Sequence, residues 1–123
     1  KAALRSLTFV NFKNVFYDMY SRSLMIKIYF ETNDTISVET SVNNYKSFLK
    51  REKSLADIQR SMYLNFIKYV SSLIRIKDKS NNYSNDTLLN KLQMIQVEIK
   101  EEKLLADKSW LLKKADILLN TVI

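Results

Sequence analysis

The sequence predicts an all-α fold, and three observations lead there. Glycine and proline are both absent from the 123 residues. Any left-handed backbone position must then fall to Asn, Asp or another residue, and tight hairpin turns between strands are disfavoured. Apolar residues make up 46% of the chain, and their dominant recurrence is every three or four residues, the period of a helix. We expect a single helical domain over residues 1–123, built from about five helices. Their links are short apart from Lys79–Asn85, so sequential helices should pack antiparallel as αα-hairpins, either stacked or closed as a bundle.

Residues 1–12 are short and mixed, and Leu4, Leu7 and Phe9 suggest the tail of a preceding element. The first expected helix runs from about Asn14 to Glu31, with Phe16, Met19, Tyr20, Ser23, Ile26 or Lys27, and Phe30 along one flank. Thr32-Asn33-Asp34-Thr35 is a turn of side chains that bond their own backbone. A second helix should cover about Thr35 to Glu52. Its opening ISVETSV is β-branched, but Val38, Val42, Tyr45 and Leu49 keep a helical period, with Ile36 and Phe48 also inward.

Ser54–Lys77 is the stretch around which the others organise. Leu55, Ile58, Met62, Phe66, Tyr69, Leu73 and Ile76 form one stripe; Tyr63, Ile67, Val70 and Ile74 form a second beside it. A surface helix needs one stripe about 100° wide. Two adjoining stripes imply neighbours on two sides, for which Thr35–Glu52 and Asp86–Lys103 are the candidates. Ser54 is the expected N-cap, with Asp57 three residues on. After the polar KSNNYSN, Ser84 or Asp86 caps a fourth helix to about Lys103 carrying Leu88, Leu89, Leu92, Ile95, Val97 and Ile99. A fifth runs from about Ala106 to Asn120, with Asp107 as a cap and Trp110 fastening it to the rest.

Taken together, LMIKIYFETND, YKSFLKREKSL, YLNFIKYVSSLIRI and LLADKSWLLKKADIL resemble the C-terminal part of a group of uncharacterised bacterial proteins with tetratricopeptide-like helical repeats. The resemblance covers about Val15 to Leu118. It implies a right-handed superhelical stack of helix pairs, with this piece at the C-terminal end of a longer helical-repeat protein, and no activity. The tetratricopeptide pattern itself wants a Gly and a Pro that this chain lacks, so that family's peptide-binding residues do not carry over. The start at Lys1 rather than Met also reads as a fragment, and a cytoplasmic location is expected.

Several chemistries are excluded by composition. Without Cys or His there are no disulfides, thiol nucleophiles, zinc sites of the usual ligand set or histidine acid–base steps. No phosphate-cradling glycine loop can form. No apolar run is long enough to span a membrane. The carboxylates make no convincing pair: Glu98, Glu101 and Glu102 share a helix end, and Glu31 and Glu39 lie in different helices. No catalytic, cofactor or metal residue is expected, and we read the chain as non-enzymatic.

Charge is the feature that suggests a partner. The net charge is +7, and residues 46–79 hold nine Lys or Arg against three acids. Arg60, Lys68 and Arg75 are spaced to share a helix face. Lys50, Arg51, Arg60, Lys68 and Arg75 are the candidate partner-binding cations, with Tyr83 in the polar loop as the most exposed ring. The expected function is a protein-interaction or scaffold module holding a protein or peptide. The alternative is a nucleic-acid-binding helical domain that uses the basic 46–79 region. The other aromatics, Tyr17, Tyr20, Tyr29, Tyr45, Tyr63 and Tyr69 among them, fall at or beside core positions.

Overall fold

A computed structural model describes the backbone of residues 2–122 and the side chains of residues 14–122. The described residues form five α-helices and no strand: α1 (Ala2–Glu31), α2 (Thr35–Arg51), α3 (Asp57–Asp78), α4 (Asn85–Glu101) and α5 (Lys108–Val122). A single 3-10 turn, Ser80–Asn82, follows α3.

The first helix is longer than expected. Its backbone runs unbroken from Ala2, because the sequence between Phe12 and Asn14 holds no Gly or Pro to stop a helix. The side chains of Leu4, Leu7 and Phe9 lie outside the described residues. From Met19 onward, Met19, Ser23, Ile26 and Phe30 are buried at 3-4 spacing. Phe16 and Tyr20, expected on the same flank, face solvent.

The α1–α2 link is three residues long, and its own side chains close it. Asn33 takes a left-handed φ of 61°, where its N–H donates to Phe30 O while the Asp34 N–H reaches back to Tyr29 O. That pair of bonds satisfies the last carbonyls of α1. Asp34 then turns to the next helix, where its carboxylate accepts from Ser37 N at 3.1 Å and caps α2.

Val38, Val42, Tyr45, Phe48 and Leu49 are the buried set of α2. Ile36, at 80% exposure, sits in the first turn beyond the reach of a neighbour. Tyr45 crosses to α1, where its hydroxyl donates to Met19 O at 3.2 Å and lies 3.1 Å from Ser23 Oγ. Ser23 is a buried polar group, so this bond removes a desolvation cost that an unpaired hydroxyl would carry.

The start of α3 departs from expectation. Asp57 is its first residue and Ala56 stands at the cap, where Gln59 Oε1 accepts the Ala56 N–H at 3.2 Å. The Ser54 hydroxyl is engaged elsewhere, donating to Glu52 Oε1 at 2.8 Å. The cause is tertiary: the Arg60 guanidinium reaches back to the carbonyls of Leu49, Glu52 and Leu55, tying the loop after α2 to the end of that helix and delaying entry into α3.

Both stripes of α3 are used. Phe66, Tyr69 and Leu73 from one, and Ile67, Val70 and Ile74 from the other, are buried, while Ile58 near the helix start is exposed. The neighbour on one side is α2, as expected. On the other side α5 is the closer neighbour, and α4 touches α3 less and lies mainly against α5. The link between α4 and α5 makes this possible. Ala106 N donates to Met62 O at 3.1 Å, Asn65 Nδ2 donates to Leu104 O at 2.8 Å, and Leu105 and Ala106 are buried. The chain is pinned to α3 before α5 begins. Asp107 has the second left-handed φ, 55°; its carboxylate pairs with Lys27 of α1 at 3.1 Å.

Trp110 does fasten α5. Its ring meets Phe30 of α1 edge-on with centroids 5.4 Å apart, and Phe66 of α3 at 6.1 Å.

A candidate partner-binding groove

The expected partner-binding residues separate into two groups. Arg60 is half-buried and occupied, as described above: it places a cation at the C-terminal end of α2, where the helix dipole is negative. It therefore serves the fold. Arg51 is exposed and lines no part of the groove.

Lys50, Lys68 and Arg75 come together. They line a groove of about 470 Å³ between α2 and α3, with Lys46 beside Lys50 on α2. Its apolar floor is Val42, Leu64 and Ile67. A second depression of about 390 Å³ opens between α3 and α4, lined by Ile76, Lys79, Tyr83, Lys91, Met94 and Ile95 among others. Ser72 and Arg75 belong to both, so the two depressions adjoin along α3. Lys91 and Lys79 were not singled out from the sequence. Lys91 lies on α4 in the segment without excess charge, and only the packing of α4 near α3 brings it here.

Helix periodicity explains why these residues face together. Lys46 and Lys50 are one turn apart on α2, and Lys68 and Arg75 two turns apart on α3, each row beside a buried stripe. The wall is strongly cationic, with few acids to balance it. Glu39 stands 3.7 Å from Arg75 Nε, both side chains well exposed, and Glu98 lies at the α4 rim. Tyr83 is half-buried rather than fully exposed, with the Lys91 ammonium 5.1 Å from its ring centroid.

Three other titratable groups make contacts that serve the fold. Glu31 pairs with Lys114, which lowers its pKa through that hydrogen bond and charge. Lys77 donates to Phe30 O at 3.1 Å; burial, then repulsion from Lys114, lowers its pKa. Glu102 lies 3.5 Å from the Tyr69 hydroxyl. Tyr17 and Tyr20, expected near the core, are 61% and 69% exposed, whereas Tyr45 and Tyr69 are buried. Among the described residues no three Asp or Glu are grouped to hold a metal ion, and no helix is long and apolar enough to cross a membrane.

Comparison of the chain with protein-family models, curated proteins and solved structures finds no match.

Proposed function

We propose that the chain is a non-enzymatic interaction module that holds a protein or peptide segment along the α2–α3–α4 groove. The observation that carries this reading is the convergence of Lys50, Lys68 and Arg75 with Lys46, Lys79 and Lys91 on one surface with an apolar floor. Helical proteins take partner segments in such grooves, anchoring apolar side chains below and fixing orientation with charge at the walls. An antiparallel hairpin stack of the helical-repeat type is the architecture that accompanies this reading. The pairs α1–α2, α2–α3 and α4–α5 and their short links support it.

The nucleic-acid reading would draw on the same cations. Single strands also need aromatic faces on which bases stack. Among the described residues lining the groove, Tyr83 is the one aromatic ring, and Lys91 already lies against it. The protein-segment reading is therefore the better supported.

Affinity capture on the wild-type chain and on a Lys68→Glu/Arg75→Glu variant, with nuclease treatment and mass spectrometry of the eluate, tests this. Proteins retained by the wild type and lost by a folded variant are expected. An identical protein set from both, or retention that nuclease abolishes, would overturn the proposal.

A further inference from the structure

We infer that the occupant of this groove is an acidic amphipathic segment, and that Glu39 holds its principal contact, Arg75, until the segment arrives. The inference rests on the interaction reading above and specifies the partner's chemistry.

Charge complementarity sets the first requirement. Six cations line the surface, drawn from α2, α3, the residue after α3, and α4, against one lining acid, Glu98. Such a wall favours carboxylates on the partner and repels basic segments, which directs both orientation and encounter. From Lys68 to Lys79 the axis of α3 and its exit advance by roughly 16 Å at 1.5 Å per residue. A partner helix of about three turns matches that length and presents a carboxylate on each turn.

The floor sets the second requirement. Met94 is 58% exposed at the α4 side, and Leu64 and Ile76 are half-buried at the bottom of the two depressions. A purely acidic chain would leave this surface wet. Apolar side chains between the carboxylates cover it, and Met adapts to their shape.

Arg75 is where the two depressions join, and its one ion pair among the described residues is loose. The 3.7 Å approach runs through Nε alone, and the side chains of Arg75 and Glu39 are 64% and 45% exposed. Exposed pairs of this kind are weakly held. An incoming carboxylate that engages the guanidinium by two parallel bonds displaces Glu39 easily. Glu39 thus acts as an internal competitor.

The test uses three probes on the full chain, followed by backbone-amide NMR shifts and fluorescence anisotropy at low salt. The first is a short helical peptide of Glu and Leu with the acids along one face. The second is its Gln counterpart, and the third is a single-stranded RNA oligonucleotide. The inference expects the acidic peptide to shift amides around Lys46, Lys68, Arg75 and Lys91, with affinity falling as salt is raised. Arg75→Glu should weaken it by about tenfold or more, and Glu39→Gln should strengthen it several-fold. Equal binding of the Gln peptide at the same amides would overturn the inference and leave the interaction reading standing. So would acidic-peptide binding that Glu39→Gln does not strengthen, as regards the competitor role. Binding of RNA alone, or of no probe, would overturn both.

Discussion

Trp110 stands edge-on to Phe30, ring centroids 5.4 Å apart and planes at 71°, so the start of the last helix is joined to the end of the first. Two ion pairs, Lys27–Asp107 and Glu31–Lys114, bracket the contact, and the ammonium groups of Lys27 and Lys114 lie 5.7 and 5.6 Å from the Trp110 ring centroid. Trp110→Ala removes the ring that meets Phe30 of α1 and Phe66 of α3 from α5, and should cost about 3 kcal/mol. Trp110→Phe should recover part of that. Urea titration followed by circular dichroism measures both.

Arg60 makes a contrasting prediction. It satisfies carbonyls at the α2 terminus and in the loop that follows, so Arg60→Met, which keeps the stem but loses the donors, should destabilise by about 2 kcal/mol. Lys in its place restores charge without the planar fork and should rescue incompletely. Lys68→Met, on the groove, should change stability by less than about 0.5 kcal/mol. Thermal melts of the three variants separate a structural arginine from a surface lysine.

Alkaline pH should unfold the chain earlier than its charge alone requires. Burial raises the pKa of Tyr45, Tyr63 and Tyr69, with Asp107 adding to the effect at Tyr63 and Glu102 at Tyr69. A group whose pKa is higher in the folded state contributes stability that is complete below its unfolded value. That contribution is lost as pH rises past about 10, the unfolded tyrosine value. Lys77, whose pKa is lowered by burial, acts in the opposite sense and at lower pH, up to its unfolded value: the cost of burying its charge lessens as it deprotonates. Three phenols against one partly buried amine leave a net loss. Urea midpoints should fall as pH rises from about 10 to about 11.5, and less steeply in Tyr45→Phe, which also lowers stability throughout because Ser23 and Met19 O lose their partner.

Asn33 holds a left-handed φ that most side chains resist. Asn33→Ala should cost about 1 kcal/mol. Asn33→Gly should be neutral or stabilising by about 0.5 kcal/mol, because the strain relieved outweighs the added freedom of the unfolded chain. Equilibrium unfolding of the pair decides whether backbone geometry governs the α1–α2 link.

The helical architecture was legible because it is local. Periodicity located all five helices, and the double stripe of α3 marked it as an element with neighbours on two sides. The absence of glycine pointed to Asn and Asp for left-handed positions, and Asn33 and Asp107 fill them. What escaped detection depends on contacts between helices. Ser54 satisfies the chemistry of an N-cap, but Arg60 reshapes the loop around it. Ile36, Ile58, Phe16 and Tyr20 continue apolar patterns onto exposed positions, which one-dimensional spacing cannot reveal. The groove was half visible: Lys50, Lys68 and Arg75 share faces on two sequential helices, whereas Lys91 reaches it only through the placement of α4.

The pinning of the α4–α5 link to α3 gives this fold a built-in reporter. Loop amides ordinarily exchange with solvent through small local fluctuations, yet the Ala106 N–H is buried and bonded to Met62 O. Its exchange requires the link to lift from α3, which would also release Leu105 from the core and uncouple α5. In deuterated solvent, Ala106 should keep its proton as long as the central amides of α5, and the two should lose theirs together.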